Sequence, residues 1–236
     1  DQKIDARRQL QSLFATAQLG YNEFVYLDLS ARNDWSSTLA YTSHEKSGFF
    51  YPSVGFSLIF NKLMTLPRWV SLAKIRGAYS MVGNDIPMFI TNPSSHITAG
   101  GEFLASDAAP FKDMEPEMTH SFEAGIEARF LKNRIGLNAT FYKTNTRNQF
   151  FKLPTLSGDK YAYRYVNAGN IQNVGWEVSL DAVPLLTNHF KWKTEVNFST
   201  NCNKIISLHE ALKEFLYGPT SFSSSYAMKL VKGGSI

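Results

Sequence analysis

The feature that most constrains this chain is a strict two-residue alternation of apolar and polar side chains, recurring in eight separate segments. Successive side chains of an extended strand point to opposite faces, so this alternation specifies strands with one apolar and one polar face. Val25, Leu27, Leu29 and Ala31 share one face, and Tyr26, Asp28, Ser30, Arg32 and Asp34 the other. Phe122, Ala124, Ile126, Ala128 and Phe130 oppose Ser121, Glu123, Gly125, Glu127 and Arg129. Ile135, Leu137, Ala139 and Phe141 oppose Gly136, Asn138, Thr140 and Tyr142, and Trp176, Val178, Leu180 and Ala182 oppose Glu177, Ser179 and Asp181. Looser versions at 10–19, 49–60, 72–82 and 190–203 are also read as strands.

Each segment runs roughly nine to twelve residues, longer than most globular strands and close to what a tilted strand needs to cross a bilayer. The connections alternate in length. Short links fall at 20–23, 131–134 and 184–189, with a moderate one at 61–71, while longer stretches occupy 35–48, 83–118, 146–172 and the region after 203. Short turns at one end and long loops at the other is the organisation of outer-membrane barrels. Aromatics near strand ends, among them Phe24, Tyr51, Phe130, Trp176 and Trp192, fit interfacial girdles. Charges stacked on one polar face, as with Glu123, Glu127 and Arg129, suit a wet lumen. A soluble β-sandwich alternates in the same way, burying its apolar face against a second sheet, and stands as the alternative at this stage. The expected fold is all-β, an antiparallel transmembrane barrel segment of about eight strands.

The formal charge of +4 is scattered, with no basic run that could track a phosphate backbone, so nucleic-acid binding is not expected. Cys202 is the single cysteine, which rules out an internal disulfide. No apolar stretch approaches the ~20 residues of a spanning helix. The chain opens on Asp1-Gln2-Lys3-Ile4 and stops at Gly233-Gly234-Ser235-Ile236, and both ends read as the interior of a longer sequence. Residues 1–236 are therefore expected to be one barrel segment, the remaining strands lying elsewhere.

Catalytic patterns do not assemble. His44-Glu45 and His209-Glu210 lack a second histidine four residues after the first. Ser36-Ser37 and Ser223-Ser224-Ser225 lack a Gly-x-Ser-x-Gly setting and read as loop residues. Glu115 and Glu117, either side of Pro116, read as solvated loop charges. No catalytic residue, metal or cofactor is expected. Residues 206–217 have helical spacing through Ile206, Leu208, Leu212, Phe215 and Leu216, which predicts a short helix. The candidate ligand or lid contacts are loop aromatics: Tyr161, Tyr163 and Tyr165 alternate beside Arg164, and Trp35 follows Asp34 at a strand's outer end. Flat rings beside hydrogen-bonding groups suit sugars or peptides.

With the strands in place, several phrases resemble the SusC-type TonB-dependent outer-membrane transporters. Arg32-Asn33-Asp34-Trp35-Ser36-Ser37 resembles the family's Arg-x-Asp-x-Ser-Ser, and Phe50-Tyr51-Pro52-Ser53 its Phe-x-Pro-Ser. Lys74-Ile75-Arg76-Gly77-Ala78-Tyr79-Ser80 with Gly83-Asn84 is similar to a third phrase, departing from it in the order Gly-Ala-Tyr-Ser. Pro116-Glu117 with Glu123-Ala124-Gly125-Ile126-Glu127, and Asn167-Ala168-Gly169-Asn170-Ile171 with Asn173-Val174-Gly175-Trp176-Glu177, complete the set in order. The resemblance implies a barrel of about 22 strands with an internal plug. It also implies a bacterial outer-membrane location, energy from the TonB complex through the plug, and a SusD-like surface lipoprotein closing over the mouth. Oligosaccharides, or in some members peptides, would be the cargo. The glycines and asparagines of these phrases are expected at positive-φ turns and bends, as barrel construction. A passive porin shares the barrel without plug or lid, and an outer-membrane hydrolase is a third possibility.

Overall fold

The computed structural model describes residues 7–46, 48–93, 95–97, 100–104, 106–112, 114–155, 158–167, 169–208, 214–217 and 228–235. Along the chain the strands are β1 (Leu10–Tyr21), β2 (Val25–Ser36), β3 (Phe49–Ile59), β4 (Val70–Asn84), β5 (His96–Ile97), β6 (Phe103–Leu104) and β7 (Glu117–Phe130). They continue as β8 (Ile135–Arg147), β9 (Phe150–Pro154), β10 (Tyr163–Asn167), β11 (Asn170–Leu186), β12 (Lys191–Ser207), β13 (Glu214–Tyr217) and β14 (Met228–Val231). Eight of them form one antiparallel sheet in the order β1-β2-β3-β4-β7-β8-β11-β12, so each long strand pairs with the next long strand in sequence. The sheet is open, with β1 and β12 as its edges. All eight alternating segments are strands of this sheet. The one helical turn between β3 and β4, Phe60–Leu63, is far too short to cross a membrane.

The register carries the apolar face unbroken from strand to strand. Tyr21, Val25, Leu58, Ile75, Ile126, Ala139, Val178 and Phe198 are consecutive partners across all eight strands. Phe141 pairs with Trp176, Leu137 with Leu180, and Leu180 with Val196. These side chains face outward and are open: Leu180 is 48% exposed, Trp176 50%, Val196 59% and Phe198 61%. A sandwich would have buried them under a second sheet, and no second sheet covers this face among the described residues.

The opposite face is hydrophilic along equally continuous rows. Thr16, Ser30, Ser53, Ser80, Ser121, Thr144, Asn173 and Asn203 are consecutive partners across all eight strands. A one-residue slip anywhere would exchange the two faces, so the two-faced pattern itself fixes the register. The short links are tight turns. Asn22 and Glu23 both adopt left-handed φ values, 46° and 57°, and Phe24 N–H closes the turn onto the Tyr21 carbonyl at 3.1 Å. Leu131, Lys132 and Asn133 do the same between β7 and β8 at 52°, 59° and 65°.

Strand length places the loops. β11 and β12 each have 17 residues, which at about 3.3 Å per residue exceeds the ~30 Å hydrocarbon core even when tilted. Their outer ends therefore stand clear of the hydrocarbon core. Here the long connections contain structure not expected from the sequence: the β9–β10 hairpin, the two-residue pair β5–β6, and β13 paired with β14. The helix expected over 206–217 is not formed where the chain is described. Ile206 and Ser207 finish β12, and Glu214–Tyr217 is a strand, so both ends of that segment are extended; 209–213 lie outside the described residues. Pairing with β11 and β14 supplies hydrogen bonds that an isolated helical turn could not.

Candidate functional site

Every buried hydrophobic side chain among the described residues lies at the long-loop end. Leu39, Phe49, Ile86, Ile90 and Met114 form one cluster, with Tyr51, Phe111, Phe150 and Tyr165 packed against it. Phe151, Leu153 and Ile205 form a second, joined by Val166 and Leu208. The β9–β10 hairpin links the two. Its alternation sends Phe150 and Tyr165 to the first cluster and Phe151, Leu153 and Val166 to the second.

Polar contacts lock the same loops. Asp85, just past β4, accepts hydrogen bonds from Ser36 Oγ at 2.7 Å, Thr38 Oγ1 at 2.5 Å and Ile86 N–H at 2.8 Å, and pairs with Arg8. Burial on its own raises the Asp85 pKa, but the bonds from Thr38, Ser36 and Ile86 and the Arg8 charge together outweigh it, holding the carboxyl below the usual range. Ser36 is thus the last residue of β2 and the cap of a one-turn helix, rather than a free loop serine. Asn167 accepts from Glu115 N–H at 2.7 Å and donates to the carbonyls of Glu115 and Asn148 at 2.8 and 2.7 Å. Asn148 in turn donates to the Glu115 carboxylate at 2.7 Å. Glu115 and Glu117, read from the sequence as solvated charges, are both bonded: Glu117 opens β7 and accepts from Asn84 at 3.2 Å.

The sequence-singled aromatics divide into two places. Tyr163 and Tyr165 lie on one face of β10 with ring centroids 5.9 Å apart, and the Lys152 ammonium sits 3.5 Å over the Tyr163 ring. Tyr165 also meets Phe150 edge-on at 6.3 Å. Its burial, with a smaller contribution from Tyr163, pushes its hydroxyl pKa up. Tyr161 precedes the strand; its carbonyl accepts from Thr155 Oγ1 and the Lys160 ammonium lies 5.3 Å from its ring. Arg164 is exposed, opposite Leu153. Trp35 stands apart, on β2 rather than in a loop, opposite Gln11 and sharing the outward register of Leu27 and Leu29, with Gly48 against its ring edge.

Below this cap the inward face carries side chains that reach across a whole strand. Arg76 on β4 passes over Gly125 of β7 to donate to Asn138 and Thr140 of β8 at 3.0 and 2.6 Å. Tyr142 on β8 passes over Gly175 of β11 to meet the Thr200 carbonyl and Asn201 of β12, each at 3.4 Å. A Cβ on Gly175 would sit 2.4 Å from the Tyr142 hydroxyl and 2.1 Å from the Thr200 carbonyl oxygen. These glycines lie mid-strand without a positive φ, so the turn role expected for them is replaced by one of space; only Gly169 of the phrases fits the expectation, at φ 88°. No local spacing marks Asp85, because its side-chain partners Ser36, Thr38 and Arg8 lie 47 to 77 residues away.

A sheet with a lipid-type outer face, a hydrophilic inner face and a structured cap at one end defines a transmembrane β-barrel wall. The profile of the family described as "TonB dependent receptor-like, beta-barrel" matches residues 1–211, and the chain belongs to that family. Relatives include the TonB-dependent receptor P39 of Formosa agariphila, 26% identical over 84% of this chain and 20% of its own length. Another is the TonB-dependent receptor SusC of Bacteroides thetaiotaomicron, 25% identical over 86% of this chain and 22% of its own. The RagAB peptide importer in its open-open state superposes with a TM-score of 0.79 at 23% identity, over 90% of this chain and 24% of that one. This chain thus spans about a fifth of the length of the curated relatives it matches. It is part of the outer-membrane β-barrel of a bacterial TonB-dependent receptor.

Proposed function

We propose that this chain forms part of the wall and outer mouth of an energy-coupled nutrient importer. The observation that carries the reading is the sorting of side chains by register: an unbroken hydroxyl and amide row inside, an unbroken apolar row outside, and a folded cap where the long loops meet. A hydrophilic inner wall lets a polar solute pass without stripping its hydration. The rest of the protein supplies a plug through which the TonB complex delivers energy, and a SusD-like lipoprotein closes over the cap. Likeness to the RagAB peptide importer supports peptide as cargo, and the resemblance of the sequence phrases to SusC-type transporters supports oligosaccharide. Tyr161, Tyr163, Arg164 and Tyr165 are the proposed ligand or lid contacts. Of these Tyr165 acts from beneath, since its ring is already packed against the cap core.

The test is uptake of labelled oligosaccharide and of labelled peptide by cells carrying the full-length protein, with and without TonB and the companion lipoprotein. Uptake of one class that stops when TonB is deleted supports the importer. Equal uptake without TonB makes the protein a passive porin.

A further inference from the structure

The ionisable side chains of the long strands are sorted by face more strictly than import requires. All eight carboxylates on these strands, Asp28, Asp34, Glu117, Glu123, Glu127, Glu177, Asp181 and Glu195, fall on the inward register. The outward register of the eight long strands carries no carboxylate. Its lysine and arginine positions are Lys143, Arg147 and Lys204, all on neighbouring strands and all at the long-loop end.

The register brings the three together. Lys143 lies opposite Val174, Lys204 opposite Gln172, and Arg147 opposite Asn170, so β11 runs between two basic strands. Their side chains are exposed, and among the described residues none is ion-paired with a carboxylate. Amides fill the space between: Asn145 donates to Asn170 at 2.9 Å and Gln172 donates to Asn145 at 3.2 Å. Immediately below, the Phe141 and Trp176 rings meet at a tilt of 57° with centroids 5.1 Å apart. Aromatic rings of this kind mark the level where hydrocarbon gives way to headgroups. Unpaired cations directly above them sit where lipid phosphates lie, and there they contribute attraction instead of a desolvation cost.

We propose that Lys143, Arg147 and Lys204 form a binding site for the phosphate of an anionic outer-leaflet lipid, whose acyl chains lie along Phe141, Trp176 and Phe198. The site depends on the outward face meeting lipid and is independent of what the barrel transports.

Purified full-length protein in non-ionic detergent, titrated with bis-phosphorylated lipid A or its dephosphorylated counterpart and read by native mass spectrometry, tests this directly. The phosphorylated lipid binds preferentially, and K143Q/R147Q/K204Q weakens its binding by about a hundredfold, from roughly fivefold per basic residue at an anionic surface. Binding of the dephosphorylated lipid is unchanged. K143R/K204R retains the preference, as does K62Q in the opposite turn. Should the triple variant fail to fold, K204Q alone shows a loss of about fivefold. Equal binding of the two lipids by the unmodified protein, or undiminished binding by the folded variants, overturns the proposal. So does complete displacement of the lipid by millimolar inorganic phosphate, which would mark a site for the free anion.

Discussion

The wall and the cap of this molecule are built by opposite rules. In the wall, side chains as apolar as Leu180, Val196 and Phe198 are 48–61% exposed, and order comes from backbone pairing across eight strands. In the cap, Leu39 and Met114 are completely buried and Ile86 is 1% exposed, as in a small water-soluble protein. The difference follows from solvent. Lipid takes the apolar side of the wall, so the wall needs no core of its own, whereas the cap stands in water and must bury its apolar residues internally.

The contrast yields a ranked set of expectations. The largest effect belongs to the wall's outward face: L180R, at mid-strand between Leu137 and Val196, destabilises the full-length barrel by about 2–4 kcal/mol in lipid. Denaturant titration in vesicles measures this, and S179R on the inward face provides the contrast, with little loss. Next comes G175A, whose Cβ would overlap the Thr200 carbonyl and the Tyr142 ring and which costs about 1–3 kcal/mol by overpacking.

The cap responds to different changes. D85A removes the acceptor shared by Ser36, Thr38 and Ile86 and weakens the loops by on the order of 2 kcal/mol. Limited proteolysis detects it as faster cleavage of the loops while the barrel stays intact. Because the Asp85 pKa is lowered on folding, its stabilisation is complete above the ordinary carboxylate range and is lost as pH falls through the lowered value. D85N removes that acid sensitivity. The smallest effect is K62Q: the Lys62–Glu23 pair is fully exposed at the turn end, and its loss leaves stability unchanged.

The same contrast explains what could be read from sequence. Wall strands were legible because two-residue alternation survives over seven to ten positions, and the four looser segments proved to be strands of the same sheet. The cap was not. Its strands are two to five residues long, too short for a period to show, and the alternation of Tyr161, Tyr163 and Tyr165 marked β10 while looking like loop decoration. Ile206, Phe215 and Leu216 have helical spacing by coincidence, each being extended where it lies. Asp85 and Asn167 act through partners dozens of residues distant, which no local pattern encodes. The family phrases pointed to the right places for another reason: Gly125 and Gly175 clear the way for Arg76 and Tyr142.

The central claim is that register alone decides which side chains meet lipid. Nitroxide labels at 178, 179, 180 and 181 of the full-length protein in lipid vesicles, one at a time in a cysteine-free background, test it most directly. Collision with oxygen should dominate at 178 and 180, and collision with a water-soluble nickel chelate at 179 and 181. Equal nickel access at all four positions, or the reverse alternation, would contradict the account.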